Sequence, residues 1–232
     1  MQRILSLGLG LLMCSMVSAQ TEAATNPGNP SNASNAQGLH QAAANNDAKA
    51  IQVMLQAGGL KDIDARDSQG RTALLVATQA NHVQAAQALI EAGADVNAKD
   101  AIQDSPYLYA GARGHLDILK LTLSHGADVR STNRYGGTAL IPASERGHVE
   151  TVRTLIEAGV DVDHVNKLGW TALMEAIVLS DGGPRHQQIV QLLLDAGADK
   201  NLADREGVTP LGNARLRNQQ EMVQLLLKAG AQ

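Results

Sequence analysis

Apolar residues along this chain come in short bursts at helical spacing, and the bursts themselves recur. Val149, Val152, Leu155 and Ile156 fall on one face of a helix, with polar residues between them. Such a helix stops at a glycine, as in Ala92-Gly93-Ala94-Asp95, because a left-handed C-terminal cap favours a residue without Cβ. Ahead of it lies a shorter apolar stretch that opens on Thr or Ser. A hydroxyl there accepts a bond from one of the backbone N–H groups that a helix start leaves unpaired. Pro106 and Pro210 follow their Ser and Thr directly, at the helical position where a missing N–H costs nothing. The short helices finish near Asn81-His82, Gly114-His115 and Gly147-His148, and segments such as Asp95-Val96-Asn97-Ala98 turn the chain into the next unit. The pattern predicts an all-α protein of helix-turn-helix units.

These units keep one register. Thr72, Ser105, Thr138 and Thr171 are 33 residues apart, and Thr209 follows after 38. Gly93, Gly126, Gly159, Gly197 and Gly230 repeat the same steps, while Gly58, 35 residues before Gly93, marks a less regular first copy. With this period and the Thr-Ala-Leu openings, the chain resembles the ankyrin-repeat family. The resemblance implies a solenoid of about six repeats with short β-turn fingers, near 38–66, 67–99, 100–132, 133–165, 166–203 and 204–232. His40, Gln41, Asn45 and Asn46 in the first copy, and Arg215, Arg217, Gln219 and Gln220 in the last, read as the polar outer faces of capping repeats. Three departures from the family pattern are expected to cost local stability without changing the fold. Only His40 keeps the histidine of the Thr-Pro-Leu-His signature, Gln103 replaces a turn glycine, and Pro142 sits inside a short helix.

The N-terminus adds an address. Arg3, the uncharged run Ile4 to Val17 and the small residues Ser18 and Ala19 read as a signal peptide over 1–19, cleaved after Ala19. The run is shorter than the ~20 residues of a spanning helix, so no stable membrane insertion is expected. Residues 20–37, rich in Asn, Pro, Ser, Thr, Ala and Gly with Glu22 as the one charge, read as a flexible tether before a repeat domain over 38–232. Cleavage discards Cys14, the only cysteine, and leaves a mature chain with no disulfide or thiol chemistry. It also removes Arg3, which leaves 18 basic residues against 23 acidic ones, a net charge of −5. No basic face is visible, which argues against a nucleic-acid partner.

Composition narrows the core and the chemistry. Aromatic residues make up 2% and Phe is absent, so the core must be built from Ala, Leu, Val and Ile in thin helical layers. The sequence carries no phosphate-cradling glycine loop, no G-x-S-x-G and no His-Glu-x-x-His, and no cofactor is expected. His82, His115, His148 and His186 occupy one place in successive repeats. Stacked helices lie ~10 Å apart against ~2 Å metal–nitrogen bonds, so they read as ties to turn backbone and not as ligands. His125 falls in the last turn of a helix, where its charge suits the dipole.

Two features stand out from plain repeat. Ile102, Tyr135 and Leu168 are 33 apart at the third position of the fingers, with Trp170 two residues beyond. Flanked by Arg71, Asp104, Arg134 and Lys167, they form the candidate protein-binding stripe, since exposed aromatics are frequent binding anchors. The alternative surface is the loop at Ser180-Asp181-Gly182-Gly183-Pro184, five residues longer than its counterparts, with Asp181, Arg185 and His186. The signal peptide, the repeats and the Gly169-Trp170-Thr171-Ala172-Leu173-Met174-Glu175-Ala176 stretch together resemble small bacterial periplasmic ankyrin proteins. That resemblance implies a monomeric, non-enzymatic periplasmic scaffold for a protein client, and some relatives are associated with catalase and peroxide defence. A secreted effector that binds host proteins is the second reading. A hydrolase or metal enzyme with an unrecognised site is the third.

Overall fold

The structure, a computed structural model, describes residues 30–58 and 62–232. The signal peptide, Cys14 and the first part of the tether lie outside the described residues. Among the described residues every regular element is a helix, and the helices come in six pairs. The first member of each pair is α1 (Pro30–Ala44), α3 (Ala73–Gln79), α5 (Pro106–Arg113), α7 (Leu140–Glu145), α9 (Ala172–Val178) and α11 (Pro210–Leu216). The second is α2 (Ala48–Gln56), α4 (Val83–Glu91), α6 (Leu116–Ser124), α8 (Val149–Glu157), α10 (Pro184–Asp195) and α12 (Gln220–Lys228). Each helix packs on its partner and on its counterpart in the next repeat. This is the helical solenoid that the 33-residue period predicts.

The layers are thin because small residues face each other. A Cβ on Gly111 of α5 would meet the Cβ of Ala139, just before α7, at 2.7 Å. Leu74, Leu89, Leu119, Leu140, Leu155, Leu173, Leu193 and Leu226 continue one core from repeat to repeat. Of the four aromatics only Tyr107 is fully enclosed. The low aromatic content is therefore matched to the spacing of the stack.

Local chemistry sets the helix ends. The hydroxyls of Thr72, Ser105, Thr171 and Thr209 each accept from the backbone N–H three residues on, at 3.2 Å. Thr138 does not, although its place in the period predicts it. Pro142 has no N–H for the Thr138 carbonyl, and Ile141 N–H takes that oxygen instead at 3.3 Å. The first turn is tightened, α7 begins at Leu140, and Thr138 Oγ1 is enclosed without a partner. Gln103 holds φ +68° where the other fingers have glycine, so the substituted turn glycine leaves its left-handed geometry in place.

The two ends differ from expectation in detail. Helix α1 starts at Pro30, inside the span 20–37 read as a tether. Its C-terminal half is fixed by His40, whose Nδ1 bonds Ala36 O at 2.8 Å and whose Nε2 bonds Arg71 O at 2.9 Å. Gln219, read as part of the polar outer face, is buried and donates to Ile177 O at 3.1 Å and Ser180 O at 3.0 Å. It occupies the place of the repeated histidines, one repeat after His186, and does their work. Gln41, Arg215, Arg217 and Gln220 are exposed as a capping face requires.

Candidate functional site

One residue organises every finger. Asp67, Asp100, Asn133, Asn166 and Asp204 each close a turn by donating their N–H to the carbonyl four residues on, at 2.9–3.0 Å. The side-chain oxygen of the same residue accepts from the N–H two and four residues later, as Asn133 does from Tyr135 at 2.9 Å and Gly137 at 3.1 Å. These bonds leave the residue two places on with no role in the turn but its N–H, and its side chain points away. Those residues are Gln69, Ile102, Tyr135, Leu168 and Glu206. The three central ones are apolar or aromatic and are 52%, 58% and 54% exposed. Three of the tips named from the sequence, Ile102, Tyr135 and Leu168, are thus exposed on successive fingers of repeats three to five.

The flanking residues behave differently. Trp170 is half-buried, and its indole N–H is enclosed by protein without an acceptor, so it is not a tip side chain. Its place in the period is that of Arg71 and Asp104, beside the helix cap and not at the turn. Arg71 is committed to Asp67 at 2.8 Å and to Gln79 at 3.0 Å. Arg134 lies over the Tyr135 ring, 5.0 Å from its centre, and reaches Asp104 at 3.3 Å. Lys167 Nζ donates to Arg134 O at 3.0 Å. Arg134 and Lys167 brace their fingers against the preceding ones, and Tyr135 is held in place by the guanidinium stacked on it.

Behind the stripe lies a depression of about 400 Å³, lined by residues of α5, α7, α9 and the adjoining fingers. Tyr135, Leu168 and Asp104 border it on the finger side; Arg113, Arg146 and Leu179, also spaced by 33, border it at the far ends of the first helices. Tyr109, Pro142 and Glu175 form a second such column across its middle. The sequence reading missed these inner-helix columns. The signal was present: at these two positions polar or bulky residues stand where neighbouring columns carry Ala and Leu.

Glu175 is the most perturbed group of the site. It is 5% exposed and accepts from Asn166 Nδ2 at 2.8 Å. Burial pushes its carboxyl up to about 7; nearby Glu145 adds to this, and the Asn166 bond and Arg146 oppose it. Burial likewise raises Asp104, against the pull of Arg134. Arg113 lies 5.6 Å from the centre of the Tyr109 ring and donates to its hydroxyl at 3.3 Å. Arg146 donates to Ala112 O at 2.6 Å. Among the described residues, neither arginine has a carboxylate within ion-pair distance.

The longer loop is a tightly bonded corner. Ser180 Oγ donates to Ala176 O at 2.6 Å, Gly182 N–H to Ser180 Oγ at 3.1 Å, and Gly183 N–H to Asp181 Oδ1 at 2.8 Å. His186 Nε2 bonds Glu145 O at 2.9 Å, and its Nδ1 lies 3.8 Å from Asp181. Pro184 opens α10, which at 12 residues is longer than the 9-residue α4, α6 and α8. The extra residues thus extend a helix and seat it, and Asp181, Pro184 and Arg185 are the exposed residues of the corner.

Two of the repeated histidines tie repeats together: His82 Nδ1 bonds Ala43 O at 3.1 Å and His186 Nε2 bonds Glu145 O at 2.9 Å, each in the preceding repeat. His115 and His148 are half-buried, and burial with nearby arginines lowers both below the ordinary histidine value. His125 bonds Leu121 O at 2.9 Å, closing its own helix end. Among the described residues no group of three His, Cys, Asp or Glu is placed to hold a metal ion.

Comparison with known proteins places this geometry in context. A family model for ankyrin repeats in three copies matches residues 11–100 and 107–204. The chain is 57% identical over 58 residues to the putative ankyrin repeat protein YahD of Escherichia coli strain K12, a match that spans 25% of this chain and 29% of that protein. Its fold is similar to the crystal structure of an ankyrin repeat domain from Acinetobacter baumannii AYE, at 67% identity and a TM-score of 0.79, over 84% of this chain and 98% of that one. The ankyrin repeat protein EF0377 gives 41% identity and a TM-score of 0.80, over 83% and 98%. The ankyrin repeat domain of Bcl-3 gives 28% and 0.76, over 84% and 86%.

Proposed function

This chain belongs to the ankyrin-repeat family, whose members serve as protein-interaction scaffolds, and we propose that it holds a protein client in the depression of repeats three to five. The observation that carries the reading is the run of three exposed apolar finger tips, Ile102, Tyr135 and Leu168, beside a groove of about 400 Å³. Solvated apolar side chains on three successive fingers offer area that a partner can bury, at ~25 cal/mol per Å². The outer fingers carry Gln69 and Glu206 at the same position, which limits the contact to the middle of the array. The client meets the protein outside the cytoplasm, because residues 1–19 have the layout of a cleaved signal peptide. The periplasm is the compartment of choice, and a periplasmic catalase, suggested by the family resemblance alone, is the first client to try. The test is in-cell crosslinking followed by capture through the C-terminus, with N-terminal sequencing of the captured chain. A chain that starts at Gln20 and carries one reproducible crosslinked protein, dependent on Tyr135 and Leu168, supports the proposal. An uncleaved Met1 removes the export reading, and crosslinks indifferent to the two tips remove the groove.

A further inference from the structure

The charges around the groove are unevenly matched, and this bears on what it takes. On the finger side Asp104 has Arg134 at 3.3 Å. In the middle, Glu175 is enclosed and bonded to Asn166. At the far side Arg113 and Arg146 both line the depression, and among the described residues no carboxylate is within ion-pair distance of either. Both are already aimed: one Nε is held by the Tyr109 hydroxyl, the other Nη1 by the Ala112 carbonyl. Each keeps further N–H groups in a planar fork suited to a carboxylate. Fixing long side chains beforehand reduces the entropy lost when a partner binds.

Resting on the protein-client reading, we propose that the groove accepts an extended acidic segment of the client, with a carboxylate against Arg113 and Arg146 and an apolar side chain against Tyr135 and Leu168. Glu145 is the one acid of the lining that opposes this below about pH 7, since Asp104 is paired and burial keeps Glu175 largely protonated there. A basic segment would meet the two arginines with only Glu145 to compensate, since Arg134 is already paired with Asp104. The distance between the arginine end and the finger tips also orients the segment, with its acidic residue at the helix ends and its apolar residue at the fingers.

The probe is an array of short peptides in which one central residue is fixed as Asp, Glu, Lys or Ala and its neighbours are varied among aliphatic residues. The mature chain is applied at low and at physiological salt. Enrichment of Asp and Glu peptides, weakened by salt and reduced about tenfold or more in affinity by Arg113→Ser plus Arg146→Ser, is the expected result. The double variant removes two exposed guanidiniums and no buried atom, so its helical signal should be unchanged. Equal binding of Lys peptides, no enrichment at all, or an arginine variant that binds like the parent overturns the proposal. A client recovered by crosslinking that ignores the arginine variant but requires Tyr135 and Leu168 would overturn the acidic segment and leave the scaffold reading standing. A client indifferent to both sets would sink the scaffold reading itself.

Discussion

Replacing Glu175 by Gln separates the electrostatics of the groove from its shape. The carboxyl is 5% exposed and has its pKa pushed from an ordinary 4.5 to about 7 by burial. The folded protein therefore holds a proton on this group between those values that the unfolded chain releases. Folding then weakens as pH rises: the group costs nothing below about 4.5, where both states are protonated, and the full amount above about 7, where both are ionised. At 1.36 kcal/mol per pKa unit the full cost is roughly 3 kcal/mol at most. Glutamine keeps the shape and the bond partner Asn166 while removing the ionisation. Urea unfolding of both proteins from acid to mildly alkaline pH supplies the comparison, and the other carboxylates, common to both, cancel. The variant should match the parent near pH 4.5 and exceed it by about 1–3 kcal/mol above pH 7. A difference independent of pH, or one that grows toward acid, would refute the assignment of Glu175 as a carboxyl held neutral by burial.

Two further substitutions test the local readings. Gln103→Gly relieves a left-handed backbone at φ +68° and should stabilise the protein by up to ~1 kcal/mol, read as an increase in melting temperature. Thr171→Ala removes a helix cap bond of 3.2 Å and should cost ~0.5–2 kcal/mol, whereas Thr138→Val exchanges an enclosed, partnerless hydroxyl for a methyl and should be neutral or stabilising.

Much of the architecture was readable because a repeat states its grammar several times. Thr, Ser and Gly recur where helices begin and end, so the number and place of the helix pairs followed from spacing. The exposed tips were readable for the same reason, since they recur every 33 residues, and the position two past Asp100, Asn133 and Asn166 lends only its N–H to the turn. What spacing could not show was competition between neighbours. Thr138 looks like its counterparts, yet Pro142 diverts the bond it should make. Trp170 is two residues from an exposed tip, but it stands beside the helix cap, and its indole N–H is enclosed by protein. Gln219 looks like a solvent-facing cap residue because its acceptors, Ile177 O and Ser180 O, lie in the preceding repeat. The inner columns Tyr109, Pro142, Glu175 and Arg113, Arg146, Leu179 were in the sequence at the same period. They gain meaning only once the first helices are seen to line a common depression with the fingers.

The central claim, that a protein client is held by the exposed fingers and the groove behind them, is tested most directly by Tyr135→Ala combined with Leu168→Ala. These side chains are 58% and 54% exposed, so their loss should leave the helical signal intact, unlike Leu155→Ala, which empties a fully buried site and should cost ~2–5 kcal/mol. Binding of the crosslinked client to purified wild type and to the double tip variant is then measured by titration calorimetry. The account predicts a loss of ~2 kcal/mol or more, roughly thirtyfold in affinity, with unchanged folding. A double variant that binds the client as tightly as the parent, or that unfolds like Leu155→Ala, contradicts it.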